Sequence, residues 1–261
     1  MASMTFTDPL LEKYNLASSE ETRVTAIIAA VDGAIDRACR RNIAYGTYSK
    51  TFYEAKESIH LPAYPVASIN RICDGTNAVL SITGTATYNR ARTTVASLIL
   101  ERVVNGVSTP TVLTFVSYPT LGLLAAAISA TPTFQAQLPS DYSSHPSSDL
   151  VAGQFASGSI SLNIWQDFNG SYDSANLQIG WLNLCGSHLK VDWSGGIDPY
   201  PADLKLVVAE LVGYVLDGKT GVVNSVSYGG EYSYTVGAVS LDRLPITFRK
   251  ILDTYKTPPL A

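Results

Sequence analysis

The apolar period of this chain changes near Tyr45, and that change calls for a mixed fold. Before it, Val24, Ile27, Ile28, Val31, Ile35 and Ala38 recur at helical spacing and draw one apolar stripe. Ser18 and Glu21 form an S-x-x-E pattern, in which each side chain satisfies a backbone amide at a helix start. Arg37, Arg40 and Arg41 fall at the far end, where cations suit the helix dipole. The spacing predicts a long amphipathic helix from Ser19 to about Arg41. The arginine cluster reads first as dipole complementarity on a solvated helix end, and second as a contact to an acidic partner.

After Tyr45 the residues become aromatic and β-branched. The stretch "HLPAYPVASINRI" (60–72) carries two prolines, which cannot donate to a sheet ladder and belong at strand starts, edges or bulges. Two short strands are predicted, the second beginning near Pro65 and ending at an Asp74-Gly75 turn. Val66 and Ile69 are three apart, so strict alternation would send them to opposite faces; a bulge or burial on both sides reconciles this.

Residues 76–185 read as a separate β-rich α+β insert. Two β runs flank Asn105-Gly106, and Thr120 caps a helix with Leu121, Leu124, Ala125 and Ile128 on one face. A Ser/Pro/Gly-rich loop follows, and then the strand-like "SISLNIWQDF" and "LQIGWLNL". Beyond it, Pro199 and Pro201 precede a stripe of Leu204, Val207, Val208, Leu211, Val212 and Val215, with Gly218 as its C-cap. The polar segment 221–239 reads as a hairpin or an arm. Phe248, Ile251, Leu252 and Tyr255 mark a short terminal helix. The fold class is α+β: a helical core (1–75 and 186–261, with a C-terminal arm 221–261) carrying a short β element and the 76–185 insert.

Chemistry is sparse. Charged residues make up 15% of the 261 and net charge is −4, so no general attraction to nucleic acid is expected. Three widely spaced cysteines argue against a disulfide framework and for a reducing site of synthesis. The N-terminus has no signal-peptide pattern, and "LGLLAAAISA" is too short for a membrane span, so a soluble chain is expected. His60 and His145 read as packing or solvated residues. Cys185 and His188 form one C-x-x-H pair without a second pair at zinc spacing. Trp165, Trp181 and Trp193 fit a core better than a sugar site. No catalytic motif, metal set or cofactor fingerprint occurs, and the expectation is a protein that is not an enzyme.

Three pieces in order, "AIDRACRRNI", "IHLPAYPVASINRI" and "VDWSGGIDPYPADLKLVVAELVGYVL" followed by the Gly/Ser arm and "LPITFRKILDTYK", resemble the head–tail connector (adaptor, or head-completion) proteins of tailed bacteriophages. The match covers roughly the first third and last quarter of the chain; the middle departs from the shorter typical members. The resemblance implies a structural virion protein at the capsid vertex, made in the host cytoplasm. It implies a ring of identical subunits, typically twelve, under the portal protein. Such a ring extends the DNA channel and docks the next neck or tail protein, with transient passage of double-stranded DNA, no cofactor and no membrane. Tyr228, Tyr232, Tyr234, Leu244, Phe248, Arg249, Ile251 and Tyr255 are the candidate contacts to the portal or a neighbour. Arg37, Arg40 and Arg41 are the candidate basic cluster.

Other classes compete. A stopper or tail-completion protein shares the composition, and a carbohydrate-binding module would use the exposed faces of the tryptophans. An enzyme with a Cys or Ser nucleophile ranks last, because no constellation assembles around one.

Overall fold

A computed structural model of the chain describes residues 3–55, 57–85, 88–104, 106–157, 159–217, 223–226, 234–236 and 246–256. In chain order the elements are α1 (Glu21–Cys39), β1 (Gly46–Ala55), β2 (Ile59–His60), β3 (Val66–Gly84), β4 (Tyr88–Thr93), β5 (Ser97–Val104) and β6 (Val107–Thr114). Then come α2 (Leu121–Ala130), β7 (Phe134–Gln137), β8 (Phe155–Ser157), β9 (Ile160–Asp167), β10 (Trp181–Leu182) and β11 (Gly186–Gly195). The chain continues through α3 (Ala202–Leu216), β12 (Val223–Val226), β13 (Tyr234–Val236) and α4 (Ile246–Thr254).

The α+β expectation of a helical core bearing only a short β element is overturned. Strand makes up 39% of the chain and helix 33%, spread over several sheets. The reason lies in β3, a 19-residue strand rather than a short one. It pairs β11 along its first half, β9 along its second half and β7 at its end, all antiparallel, while β1 pairs the far side of β11. A second sheet runs β6-β5-β4-β8. The boundary expected between residues 75 and 76 falls inside β3.

The Asp74-Gly75 turn is therefore absent, and the dipeptide serves another purpose. The register against β9 shifts between Asp74 and Asn77, and the Asp74 carboxylate accepts the Thr76 N–H at 2.8 Å. A Cβ on Gly75 would lie 2.6 Å from the Trp165 ring, so the glycine admits the indole to the sheet face. The Val66/Ile69 conflict has a similar answer. Opposite β11, the pairing skips Ala67 and Asn70, and each skip is a bulge that resets which face is buried.

Among the described residues there are three large apolar cores and a small fourth cluster of Cys73, Val151 and Trp165. The stripes of α1 and α3 pack together with Leu11 of the N-terminal segment and Leu252 of α4. The sheet of β1, β11 and the first half of β3 encloses Leu61, Tyr64, Val191 and Trp193. The rest of β3, with β4–β6, α2 and β9, encloses Leu80, Leu100, Leu124 and Ile164. Thr120 caps α2 by accepting from the Leu123 N–H, and Leu121, Leu124 and Ile128 are its buried face. At α1 the cap differs from the S-x-x-E reading. Ser18–Glu20 is a turn of 3-10 helix, and it is the Glu20 carboxylate that reaches back to the Ala17 N–H at 3.2 Å.

Candidate functional site

Parts of the three segments that carry the connector resemblance, the first two near each other in sequence and the third more than 100 residues on, meet at one junction. Arg40, the C-cap of α1, takes the left-handed conformation (φ 56°) and turns the chain out of the helix. Arg41 then folds back. It is only 9% exposed, its guanidinium lies 3.5 Å from the centroid of the Tyr64 ring, and it donates to the Tyr64 carbonyl. The proline segment is fixed from both sides. The Asn42 N–H donates to the Pro62 carbonyl at 2.8 Å, and the Trp193 Nε1–H donates to the Ala63 carbonyl at 3.0 Å. The Gly195-Gly196 pair completes the knot. The Gly196 N–H donates to the Pro65 carbonyl at 3.0 Å, and the Ile197 N–H to the Ile43 carbonyl at 2.8 Å.

Both glycines are sterically required. A Cβ at Gly195 would lie 2.5 Å from the Ala63 oxygen, and one at Gly196 would collide with the Ala44 carbonyl at a φ of +104°. Tyr48 stacks on Trp193 at 5.6 Å and donates to the Ala44 carbonyl, closing the aromatic side. Pro62 and Pro65 flank backbone whose carbonyls are all used as acceptors, so the missing proline N–H groups leave nothing unpaired there.

A small acidic centre lies beneath the junction. Asp36 accepts the Ile43 N–H at 3.0 Å, and Asp32 accepts the Ser3 N–H at 3.0 Å. Burial pushes the Asp36 carboxyl up to about 6, with the neighbouring Asp32 adding to the effect, while the Ile43 N–H and Arg41 oppose it. Burial also raises Asp32, lifts the Cys39 thiol to about 11 and raises the Tyr200 phenol. Among the described residues no group of three or more His, Cys, Asp and Glu converges as a metal site would. No helix among them is long and apolar enough to cross a membrane.

The predicted site residues divide. Arg37 and Arg40 are exposed at the helix end, but Arg41 is not part of a solvated cluster; it is a buried strut. Nothing in the local sequence separates the three arginines, since the Arg41 partner lies 23 residues on. In α4, Phe248 and Ile251 are half-buried against the α1/α3 core, and the Tyr255 hydroxyl donates to Asp203 at 2.9 Å. Arg249 is exposed on the same helix. Phe248, Ile251 and Tyr255 thus serve the chain's own core, and a truncation at residue 221 would strip Leu252 from α1 along with any partner surface. Tyr228, Tyr232 and Leu244 lie outside the described residues. Tyr234 opens β13, which pairs β12 as a hairpin, and its side chain lies outside them too.

The histidines and tryptophans are chiefly packing groups. His60 sits between the Tyr64 and Trp181 rings, at 5.6 and 5.1 Å. His188 lies in β11 between Tyr53 and Trp165, at 5.2 and 5.0 Å. Trp193 and Trp165 are buried and Trp181 is half-buried, so a sugar platform built on the three indoles loses its basis.

No protein-family model matches the chain, and no curated protein matches it in sequence.

Proposed function

We propose that this chain is a structural subunit of a phage head–tail connector, forming a ring below the portal that extends the DNA channel and docks the next neck or tail protein. The observation that carries the reading is the junction. The helix end, the proline entry and the Gly-Gly turn, three of the short motifs that carry the resemblance, contact one another through Arg41, Pro62, Ala63, Pro65 and Gly196. Motifs that share one interlocked site are better evidence of a common architecture than the same motifs scattered over a surface.

The electrostatics agree with passage rather than capture. Tight DNA binding comes from phosphate neutralisation by Lys and Arg. Here acidic residues outnumber basic ones, 22 to 18, and one of the three helix-end arginines is buried. The test is electron microscopy of the full chain mixed with the portal of the same phage. A closed ring coaxial with the portal is expected. A portal that emerges bare from that mixture overturns the proposal. Steeply salt-dependent binding of the free chain to duplex DNA overturns the channel reading.

A further inference from the structure

Away from the junction, where β3 meets the end of β9, the sheet carries a hollow of about 460 Å³. Asp74 and Asn77 line it from one strand, and Gln166, Asp167 and the turn that follows line it from the other. Its walls are held before anything binds. The Asn77 Nδ2 group donates to Gln166 Oε1 at 2.8 Å and to the Tyr142 hydroxyl at 3.2 Å, and Gln166 Nε2 donates to the same hydroxyl at 2.9 Å. Arg71 Nε donates to Asp167 Oδ1 at 2.7 Å, and Asp74 Oδ1 accepts the Thr76 N–H at 2.8 Å. Phe168 supplies an apolar wall. A Cβ on Gly170 would lie 2.3 Å from the Phe168 ring, so the turn closes on that ring only as glycine.

These bonds decide what the hollow can take. Both hydrogens of Asn77 Nδ2 are spent, which leaves its Oδ1 as an acceptor. Asp74 Oδ2 and Asp167 Oδ2 are likewise acceptors with no partner among the described residues. The fixed polar atoms left open therefore call for donors. A hard cation fits poorly, because it wants about six to eight oxygens and Arg71 already bonds Asp167. Anions are opposed by sign. Arg71 offsets only one of its two carboxylate partners, Asp167 and Asp149, and Asp74 adds a further negative charge. A neutral ligand with hydroxyl donors and an apolar face satisfies every wall, and a sugar ring has both.

We propose that this hollow is a binding site for a neutral saccharide, whose hydroxyls donate to Asp74, Asn77 and Asp167 while its C–H face lies on Phe168. The site uses none of the three indoles and shares no residue with the junction. Because its side chains are ordered beforehand, little protein freedom is lost on binding. Repeated over the copies of a ring, a weak site of this kind becomes a firm hold on a surface that displays many sugars. That multiplication rests on the connector reading; the site itself does not.

Saturation-transfer NMR of the full chain with methyl glycosides of neutral hexoses and N-acetylhexosamines, each at about 1–10 mM, reaches the weak end of the binding range. Transfer to the sugar ring protons is expected. Asn77→Ala removes one acceptor and should weaken binding about tenfold, and Asn169→Trp should abolish it by filling the hollow from its rim. Both positions are exposed, so melting temperatures should stay near that of the natural chain. Transfer to none of the glycosides overturns the proposal, as does transfer that survives Asn169→Trp. Tighter binding of sialylated or phosphorylated sugars overturns the neutral chemistry. Calcium that raises the melting temperature of the natural chain but not of Asp74→Asn would give the hollow to a cation instead. The free chain is the sample throughout, so failure here leaves the connector reading where it stands.

Discussion

Asp36→Asn should stabilise the protein at neutral pH and do almost nothing in mild acid. The carboxyl of Asp36 accepts the Ile43 N–H, and burial raises it from 3.8 to about 6. A raised carboxyl is a cost to the ionised fold: stability through this group is fully present below about pH 4 and is lost as pH rises through 6. Roughly two pH units at 1.36 kcal/mol each gives about 3 kcal/mol. The side chain keeps part of its surface in water, so solvent screening reduces this to the order of 1–2 kcal/mol. Asparagine keeps an oxygen for the Ile43 N–H while removing both the desolvated charge and its repulsion with Asp32. Urea unfolding of both proteins at pH 4.5, 6 and 7.5 reads the effect. The midpoints should nearly coincide at pH 4.5, and the variant should lead by ~1–2 kcal/mol at pH 7.5, worth about 2–8 °C in melting temperature. An asparagine variant weaker than the natural chain at every pH would show that the carboxylate is held ionised by Arg41 and that the acidic centre stabilises rather than strains.

Three further outcomes test the packing. Gly75→Ala presses a methyl into the Trp165 ring and should cost ~1–3 kcal/mol, with a shift in tryptophan fluorescence that marks the displaced indole. Leu252→Ala empties a buried position against α1 and should cost about 2–4 kcal/mol by chemical denaturation; a change below about 0.5 kcal/mol would detach α4 from the core. Arg41→Lys keeps the charge but loses the planar stack on Tyr64, and should lower stability by ~1–2 kcal/mol in thermal melts.

What could be read from the sequence was whatever local chemistry decides. The α2 cap at Thr120, the stripes of α1 and α3, and the two strands around Asn105-Gly106 each depend on residues within a few positions of one another. The failures share an opposite cause. Asp-Gly signals a turn only when nothing across the sheet needs the missing Cβ, and here Trp165, ninety residues on, needs it. The length of β3 was hidden because its bulges interrupt alternation and mimic the end of a strand. Arg41 could not be told from Arg37 and Arg40, since burial was decided by Tyr64. At the candidate site the residue types were visible, but their convergence was a tertiary fact.

That convergence bears on assembly. The junction joins the helical core to the sheet of β1, β11 and the first half of β3, so in the proposed ring it fixes how these two parts of each copy face their neighbours. β11 passes through Gly195-Gly196 into α3, β3 leaves Pro65 beside it, and Arg41 pins α1 to the same point. Gly196→Ala attacks this joint directly, because a Cβ at φ +104° must push Ala44 away. The cost should be ~1–3 kcal/mol in thermal unfolding, as for other residues forced into a glycine conformation. A loosened joint should also spread the ring sizes seen by electron microscopy around the natural value. Rings of unchanged size from a clearly destabilised Gly196→Ala protein would mean that closure is set by the contacts between copies alone, and that the junction only supports the fold of each.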